Sequence, residues 1–383
     1  MPLANGFLTK KLDNEYFFEL EIGICDSCYM FQIISQPDPK KMFHQNYAFI
    51  SGTSNYMKKH FAEFADDIIK NMSDDLFVVE IGSNDGIMLE HISKAGISHV
   101  GIEPSKNVAD LSKKKGVNVI NSFFDIDCSK RVQQNFSQAD IIFAANVMCH
   151  IPNINEVMRA CSNLLKENGR IIFEDPYLGS MIKKNSYDQI YDEHVFLFSA
   201  RSIQEMASIN NLELIDIREI PTHGGSMRYT LAHKGINKVS DSVVNHLEKE
   251  EELGLFKLKT YENFKKKCEK SKEDLKKFLI TARNNNKRVI GYGATSKSTT
   301  ILNYCDIGDD LLECIVDITP TKQGKFSPGM HIPIKSFDYI KDQYPDYFLL
   351  LAWNHQEEIL NKEKSFGQNG GKWIKFFPNF EIL

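Results

Sequence analysis

The stretch Glu80-Ile81-Gly82-Ser83-Asn84-Asp85-Gly86 constrains this chain more than any other. It closes the apolar run Phe77-Val78-Val79-Glu80-Ile81, which reads as a buried strand. The glycines let the backbone turn tightly and approach a ligand with no Cβ in the way. A helix should follow, its first amides aimed at the turn. Roughly twenty residues on, the apolar run Ser98-His99-Val100-Gly101-Ile102-Glu103 ends in a carboxylate able to accept both ribose hydroxyls of a nucleoside. Strand, glycine turn, helix and acid-ended strand together require a parallel sheet with a ligand crevice at its carboxyl edge.

Further runs extend the pattern. Residues 140–144 read as a strand, 155–166 as a helix, and 169–174 as a strand after an Asn168-Gly169-Arg170 turn. The fold class is therefore α/β. At 383 residues the chain exceeds a single ordinary core, and four regions can be drawn. Residues 1–65 form a small irregular module with Cys25-Asp26-Ser27-Cys28, and 66–235 a Rossmann-like ligand-binding domain. Residues 236–283 read as a helical connector with Tyr261, Phe264, Cys268, Leu275, Phe278 and Leu279 on one face and a break at Gly254. Residues 284–383 repeat the α/β pattern as a second Rossmann-like domain, from Val289-Ile290-Gly291-Tyr292-Gly293 to the strand at 347–351.

Composition excludes several classes of function. With 42% hydrophobic and 25% charged residues the chain should fold, and a net charge of −5 removes the basic field of a nucleic-acid binder. No run approaches the roughly 20 apolar residues of a membrane span. The opening Met1-Pro2-Leu3-Ala4-Asn5 lacks the pattern of a secretion signal. Eight cysteines in so long a chain do not form a disulfide scaffold, which makes a reducing cytoplasm the expected compartment.

The turn discriminates among nucleoside cofactors. A dinucleotide enzyme needs Gly-x-Gly-x-x-Gly for its pyrophosphate, whereas this turn places acidic Asp85 there. An acidic turn suits the ammonium and sulfonium of S-adenosylmethionine, and the pattern resembles motif I of class I methyltransferases. The expected cofactor residues are Glu80, Gly82, Asn84, Asp85, Gly86 and Glu103. Phe123 and Phe124 join them at the adenine or else pack in the core, and Asn146 stands near the donor methyl. Downstream, His150, then Tyr191-Asp192-Glu193-His194, then His223-Gly224-Gly225-Ser226 gather groups fit for acid–base work. A carbon nucleophile needs a base beside a carbonyl and donors for the enolate oxygen, and such a cluster contains both.

Taken together these segments resemble the nucleotide-sugar C-methyltransferases of deoxysugar pathways. The resemblance runs from Met1-Pro2-Leu3-Ala4-Asn5 through Tyr47 to Ser54, the Glu80 turn and Tyr191 to His194, to Gly291-Tyr292-Gly293-Ala294, His331-Ile332-Pro333 and Ala352-Trp353-Asn354. It implies that His194 is the base acting beside a 4-keto group, that Tyr191 and Glu193 flank it, and that His150 and Tyr47 enter the same site. It implies a small-molecule nucleotide-sugar as substrate, methylated at C3 or C5, with His223, Gly224, Gly225, Ser226 and Lys297 near it. Sugar, nucleotide and oligomeric state stay open. It also implies an N-terminal zinc module, yet only Cys25 and Cys28 are present where a structural site needs four ligands. His44 is the nearest histidine; either a longer true N-terminus supplies the missing pair, or this chain has lost the metal. Relatives carry Gly-Ala-x-x-Lys-Gly where this chain has Gly293-Ala294-Thr295-Ser296-Lys297-Ser298, a substitution that could alter approach to a phosphate. Two other readings remain: a non-catalytic nucleotide- or sugar-binding homologue, and a nicotinamide-dependent oxidoreductase built on the C-terminal glycine turn.

Overall fold

The computed structural model describes residues 1–43, 51–53, 55–70, 76–341 and 343–383. Seven strands build the central sheet: β1 (Phe77–Ile81), β2 (Ser98–Ile102), β3 (Val119–Ile120), β4 (Ala139–Ala145), β5 (Leu165–Pro176), β6 (Leu212–Ile220) and β7 (Ser226–His233). Their spatial order is β3-β2-β1-β4-β5-β7-β6. All run in the same direction except β7, which is antiparallel to both β5 and the edge strand β6. The order reverses beside β1, between β2 and β4, and there the carboxyl ends of the strands leave a crevice.

Residues along β1 and β4 alternate between two cores. Val79, Ile81, Ile142 and Ala144 face one, and Val78, Ile141 and Phe143 the other. Both faces are covered, so these strands are apolar throughout rather than striped. The second core is closed by α1 (Asn55–Lys70), through Phe61, Phe64 and Ile68. Asn168-Gly169-Arg170, expected as a turn, lies within the extended run of β5, where Gly169 lets Leu165 and the Asp140 carbonyl pack closely.

The connector is two helices, α2 (Asp241–Glu252) and α3 (Leu258–Asn284), broken at Gly254, whose φ of +68° suits a glycine. On α3, Phe264, Cys268, Leu275 and Leu279 are buried, while Tyr261 and Phe278 lie partly buried against the same core. That core also takes in Tyr187 and Ile190, so the segment leading to His194 is packed against the C-terminal half.

A second sheet follows from β8 (Val289–Tyr292), β9 (Ile315–Val316), β10 (Ile334–Lys335), β11 (Tyr347–Leu350), β12 (Lys372–Lys375) and β13 (Glu381–Ile382). Its order is β10-β9-β8-β11-β12-β13, parallel but for the last strand. Helix α4 (Ser296–Tyr304) leaves the glycine turn after β8. A small antiparallel sheet of Ile22–Ile24, Phe31–Ile33 and Phe196–Leu197 ties the N-terminal region to the strand just past His194.

Candidate active site

A cavity of about 640 Å³ opens at the carboxyl edge of the central sheet. One end is walled by Gly82, Asn84, Glu103, Phe123, Phe124 and Asn146, the other by His150, Tyr191, Glu193, His194, His223 and Lys297. Two groups of residues far apart in sequence thus share a single space.

The first end has the chemistry of a nucleoside site. Glu103 Oε2 accepts the Asn84 amide at 2.9 Å and Oε1 the Ser105 amide at 2.7 Å, which fixes the carboxylate at the wall. Gly82 has φ of +69°, and a Cβ there would stand 2.5 Å from Val147. Phe123 is 40% exposed and offers a ring face, whereas Phe124 is buried in the core. Beneath the turn, burial and then the neighbouring carboxylates Glu103 and Asp85 push the Glu80 carboxyl well above its usual range. Among the described residues its Oε2 has no hydrogen-bond partner, and neither has the Asn146 side-chain oxygen. Glu80, expected at the cofactor, lies behind the turn and off the cavity wall. The wall itself, with the Glu103 carboxylate and the Asn146 side chain, fits a ligand bearing a sulfonium and a ribose diol. Asp85 departs from expectation. Its carboxylate turns to Lys115 at 2.8 Å and does not line the cavity. Gly86 lies off the wall too, with φ of +73° and Ser112 packed where a Cβ would go.

The second end is an acid–base cluster. His194 Nδ1 lies 2.7 Å from the Gln189 carbonyl and must donate to it. Nε2 is then the bare nitrogen, and it accepts the Tyr191 hydroxyl at 2.8 Å. Burial, then the positive charge of nearby groups, holds His194 well below the usual histidine range. His150 stacks on it with ring centroids 5.3 Å apart, and burial brings His150 down to about 4. Glu193 is bound by Asn5 Nδ2 at 2.6 Å, and the adjoining Ala4 amide donates to Asp192 at 2.8 Å. The first residues of the chain therefore strap the turn from Tyr191 to His194, a contact across 188 positions that no local pattern announces. Further wall residues not expected from the sequence are Met57, Phe61 and His355.

Other expected residues are placed differently. His223 lines the cavity, but Gly224, Gly225 and Ser226 do not. Gly224 gives room to the Trp353 ring, Gly225 to Ser180, and Ser226 Oγ donates to the Thr222 carbonyl at 3.0 Å. These three shape a turn rather than a ligand contact. Ser298 is buried in the first turn of α4, its amide capped by Thr295 Oγ1 at 3.0 Å, and it lies off the cavity wall. Tyr47 and His44 fall outside the described residues.

Cys25 and Cys28 face one another across a turn closed by Tyr29 N to Cys25 O at 3.0 Å. Among the described residues no third donor joins them, so the described residues alone do not make a zinc site. The described residues do gather Cys149, His150 and His194 with donor atoms within 4.8 Å, but burial keeps the Cys149 thiol protonated. The C-terminal glycine turn mimics the cofactor turn. Asp317 Oδ2 accepts the Ala294 amide at 2.7 Å, as Glu103 accepts that of Asn84. There, however, Lys322 Nζ reaches the Ala294 carbonyl at 2.7 Å and Ala352 packs onto Gly293, so the protein's own side chains fill the turn.

The strand order, the antiparallel seventh strand and the nucleoside wall define a class I methyltransferase dependent on S-adenosylmethionine. The family models and a full-length sequence relative agree. A methyltransferase domain model matches residues 54–217, and a C-methyltransferase C-terminal domain model matches residues 221–378. The C-methyltransferase NovU of Streptomyces niveus is 30% identical over 387 residues, covering 100% of this chain and 92% of that one. A ubiquinone biosynthesis O-methyltransferase of Ralstonia nicotianae is 26% identical over 179 residues, 40% of this chain and 74% of its own. Among solved structures, magnesium protoporphyrin IX methyltransferase from Synechocystis PCC 6803 with bound SAH aligns with a TM-score of 0.37 at 12% identity, over 46% of this chain and 83% of that one. The chain belongs to the S-adenosylmethionine-dependent C-methyltransferases. No helix among the described residues is long and apolar enough to cross a membrane.

Proposed function

We propose that this enzyme methylates the carbon beside the ketone of a nucleotide-linked 4-keto-deoxysugar, at C3 or C5. The observation that carries the reading is His194 Nε2. It is a neutral, unprotonated nitrogen with its tautomer set by the Gln189 carbonyl, in the same cavity as the nucleoside wall. A carbon acid beside a ketone needs such a base, whereas an oxygen or nitrogen acceptor has its own lone pair.

In this reading Glu103 holds the cofactor's ribose, Phe123 its adenine, and Gly82 with Asn84 the close backbone approach. When bound, the cofactor supplies an electrophilic methyl group to a carbon nucleophile. The keto-sugar enters between His150 and Lys297 and displaces the Tyr191 hydroxyl from Nε2. His194 takes the proton alpha to the ketone. Tyr191 and Glu193 orient the imidazole and the sugar, and the short link from Asn5 fixes Glu193. The walls contributed by Met57, Phe61 and His355 keep water from the carbanion.

The test is incubation with dTDP- and UDP-linked 4-keto-deoxysugars and labelled donor, read by mass spectrometry. A gain of one CH₂ unit on the sugar is expected from at least one substrate. Transfer only to non-sugar ketones, or to none of the panel, rejects the substrate class.

A further inference from the structure

Removing a proton beside a ketone moves negative charge onto the ketone oxygen, and that charge needs a donor already in place. The wall around His194 holds few candidates. Tyr191, which bonds His194 Nε2 at 2.8 Å until the sugar displaces it, is a neutral donor, its hydroxyl pushed well above the usual range by burial. His150 and His223 are neutral, brought down by burial to about 4 and about 3. Lys40, one of the two lysines on the wall, is exposed. Lys297 is the other and is only 6% exposed.

Lys297 sits in the first turn of α4, directly after Ser296, which lies beside Tyr191. Its Nζ donates to the His223 carbonyl at 3.3 Å and lies 5.5 Å from the Trp353 ring centroid. Among the described residues no carboxylate oxygen comes within 4.0 Å of it, so this buried ammonium retains N–H groups for a ligand. Asp188 supports it from a distance and is itself gripped by Trp353 Nε1 at 2.5 Å. The positive charge is felt at His194, His223 and His355, which places it at the catalytic end. Burial lowers Lys297 to about 8, which leaves it protonated at neutral pH.

We propose that Lys297 is a catalytic residue whose ammonium receives the substrate's ketone oxygen and holds the enolate formed by His194. The proposal rests on the keto-sugar reading above. In the step, the alpha proton passes to His194 Nε2 and the C–H electron pair becomes the C=C bond. The carbonyl π pair moves to oxygen, where Lys297 donates a hydrogen bond, and no redox partner is required. Asp188 and Trp353 act as positioning residues. A contact to the substrate's diphosphate is the competing role for the same lysine.

The full chain in D₂O without donor should exchange the alpha proton of a dTDP-4-keto-deoxysugar, followed by NMR. Lys297→Met should slow exchange at saturating sugar by 100-fold or more, while affinity for dTDP or UDP alone stays within twofold. Lys297→Ala should recover exchange with added ethylamine. Undiminished exchange in Lys297→Met overturns the proposal. So does weaker nucleotide binding with normal exchange at saturation, which assigns the lysine to the diphosphate. Binding of S-adenosylhomocysteine by each variant reports the fold, and if Lys297→Met loses it, failure of amine rescue in Lys297→Ala overturns the proposal. Absence of exchange in the native enzyme with every keto-sugar removes the substrate reading and this proposal with it, whereas exchange that ignores Lys297 removes the proposal alone.

Discussion

Glu103→Gln exchanges one oxygen for a nitrogen at nearly constant volume. In the native site Oε2 accepts the Asn84 amide at 2.9 Å and Oε1 the Ser105 amide at 2.7 Å. Each oxygen then has one acceptor direction left, the pair that a ribose diol would use. Glutamine keeps one acceptor and turns an NH₂ group toward a backbone N–H, so the turn loses a partner as well as a charge. A hydrogen bond to a charged group contributes about 1.5–3 kcal/mol, and about 1.4 kcal/mol is tenfold in affinity. The dissociation constant for S-adenosylhomocysteine should rise about 10- to 150-fold by titration calorimetry. The melting temperature of the ligand-free protein, measured alongside, separates a damaged turn from a lost contact. An affinity within twofold of native, with an intact fold, would refute the assignment of Glu103 to the ribose.

Replacing His194 with Asn or Ala should abolish turnover and leave S-adenosylhomocysteine binding intact; near-native turnover sinks its role as base. Burial holds the His194 imidazole neutral, so with His194 as base turnover should stay level on the acid side through pH 6 and fall only below the usual histidine range. On the alkaline side Lys297 is lowered by burial, supported by Asp188 and opposed by Lys184, with His194, His223 and His355 nearby. Its charged form is present below about 8 and lost above, so kcat/KM should drop as pH rises through that value, and Lys297→Arg should move the drop upward. An alkaline limb unmoved in Lys297→Arg contradicts this. Gly82→Ala forces a side chain into φ of +69° and 2.5 Å from Val147. Urea unfolding should show a loss of about 1–3 kcal/mol together with weakened cofactor binding, and unchanged stability would contradict the packing argument.

What could be read from the sequence was local. Gly82 and Glu103 announce themselves because a turn and a strand end are built from consecutive residues. Tyr191, Glu193 and His194 stand out because they lie within four positions. Asp85 misled because its sign suited the cofactor, while its geometry pairs it with Lys115. Gly224 and Gly225 read as a ligand turn, yet they exist to admit Trp353 and Ser180, neighbours brought by other elements. The strap of Ala4 and Asn5 on Asp192 and Glu193 depends on tertiary closure and leaves no periodicity. The same holds for Ser296 beside Tyr191: a glycine turn after β8 was legible, its arrival at the turn that carries His194 was not.

The account stands or falls on where the new methyl group is attached. With ¹³C-methyl donor and a 4-keto-deoxysugar that gains mass, NMR should show one-bond carbon–carbon coupling between the new methyl and the ring carbon next to the carbonyl. A methyl signal coupled only through oxygen or nitrogen would contradict a carbanion made by His194.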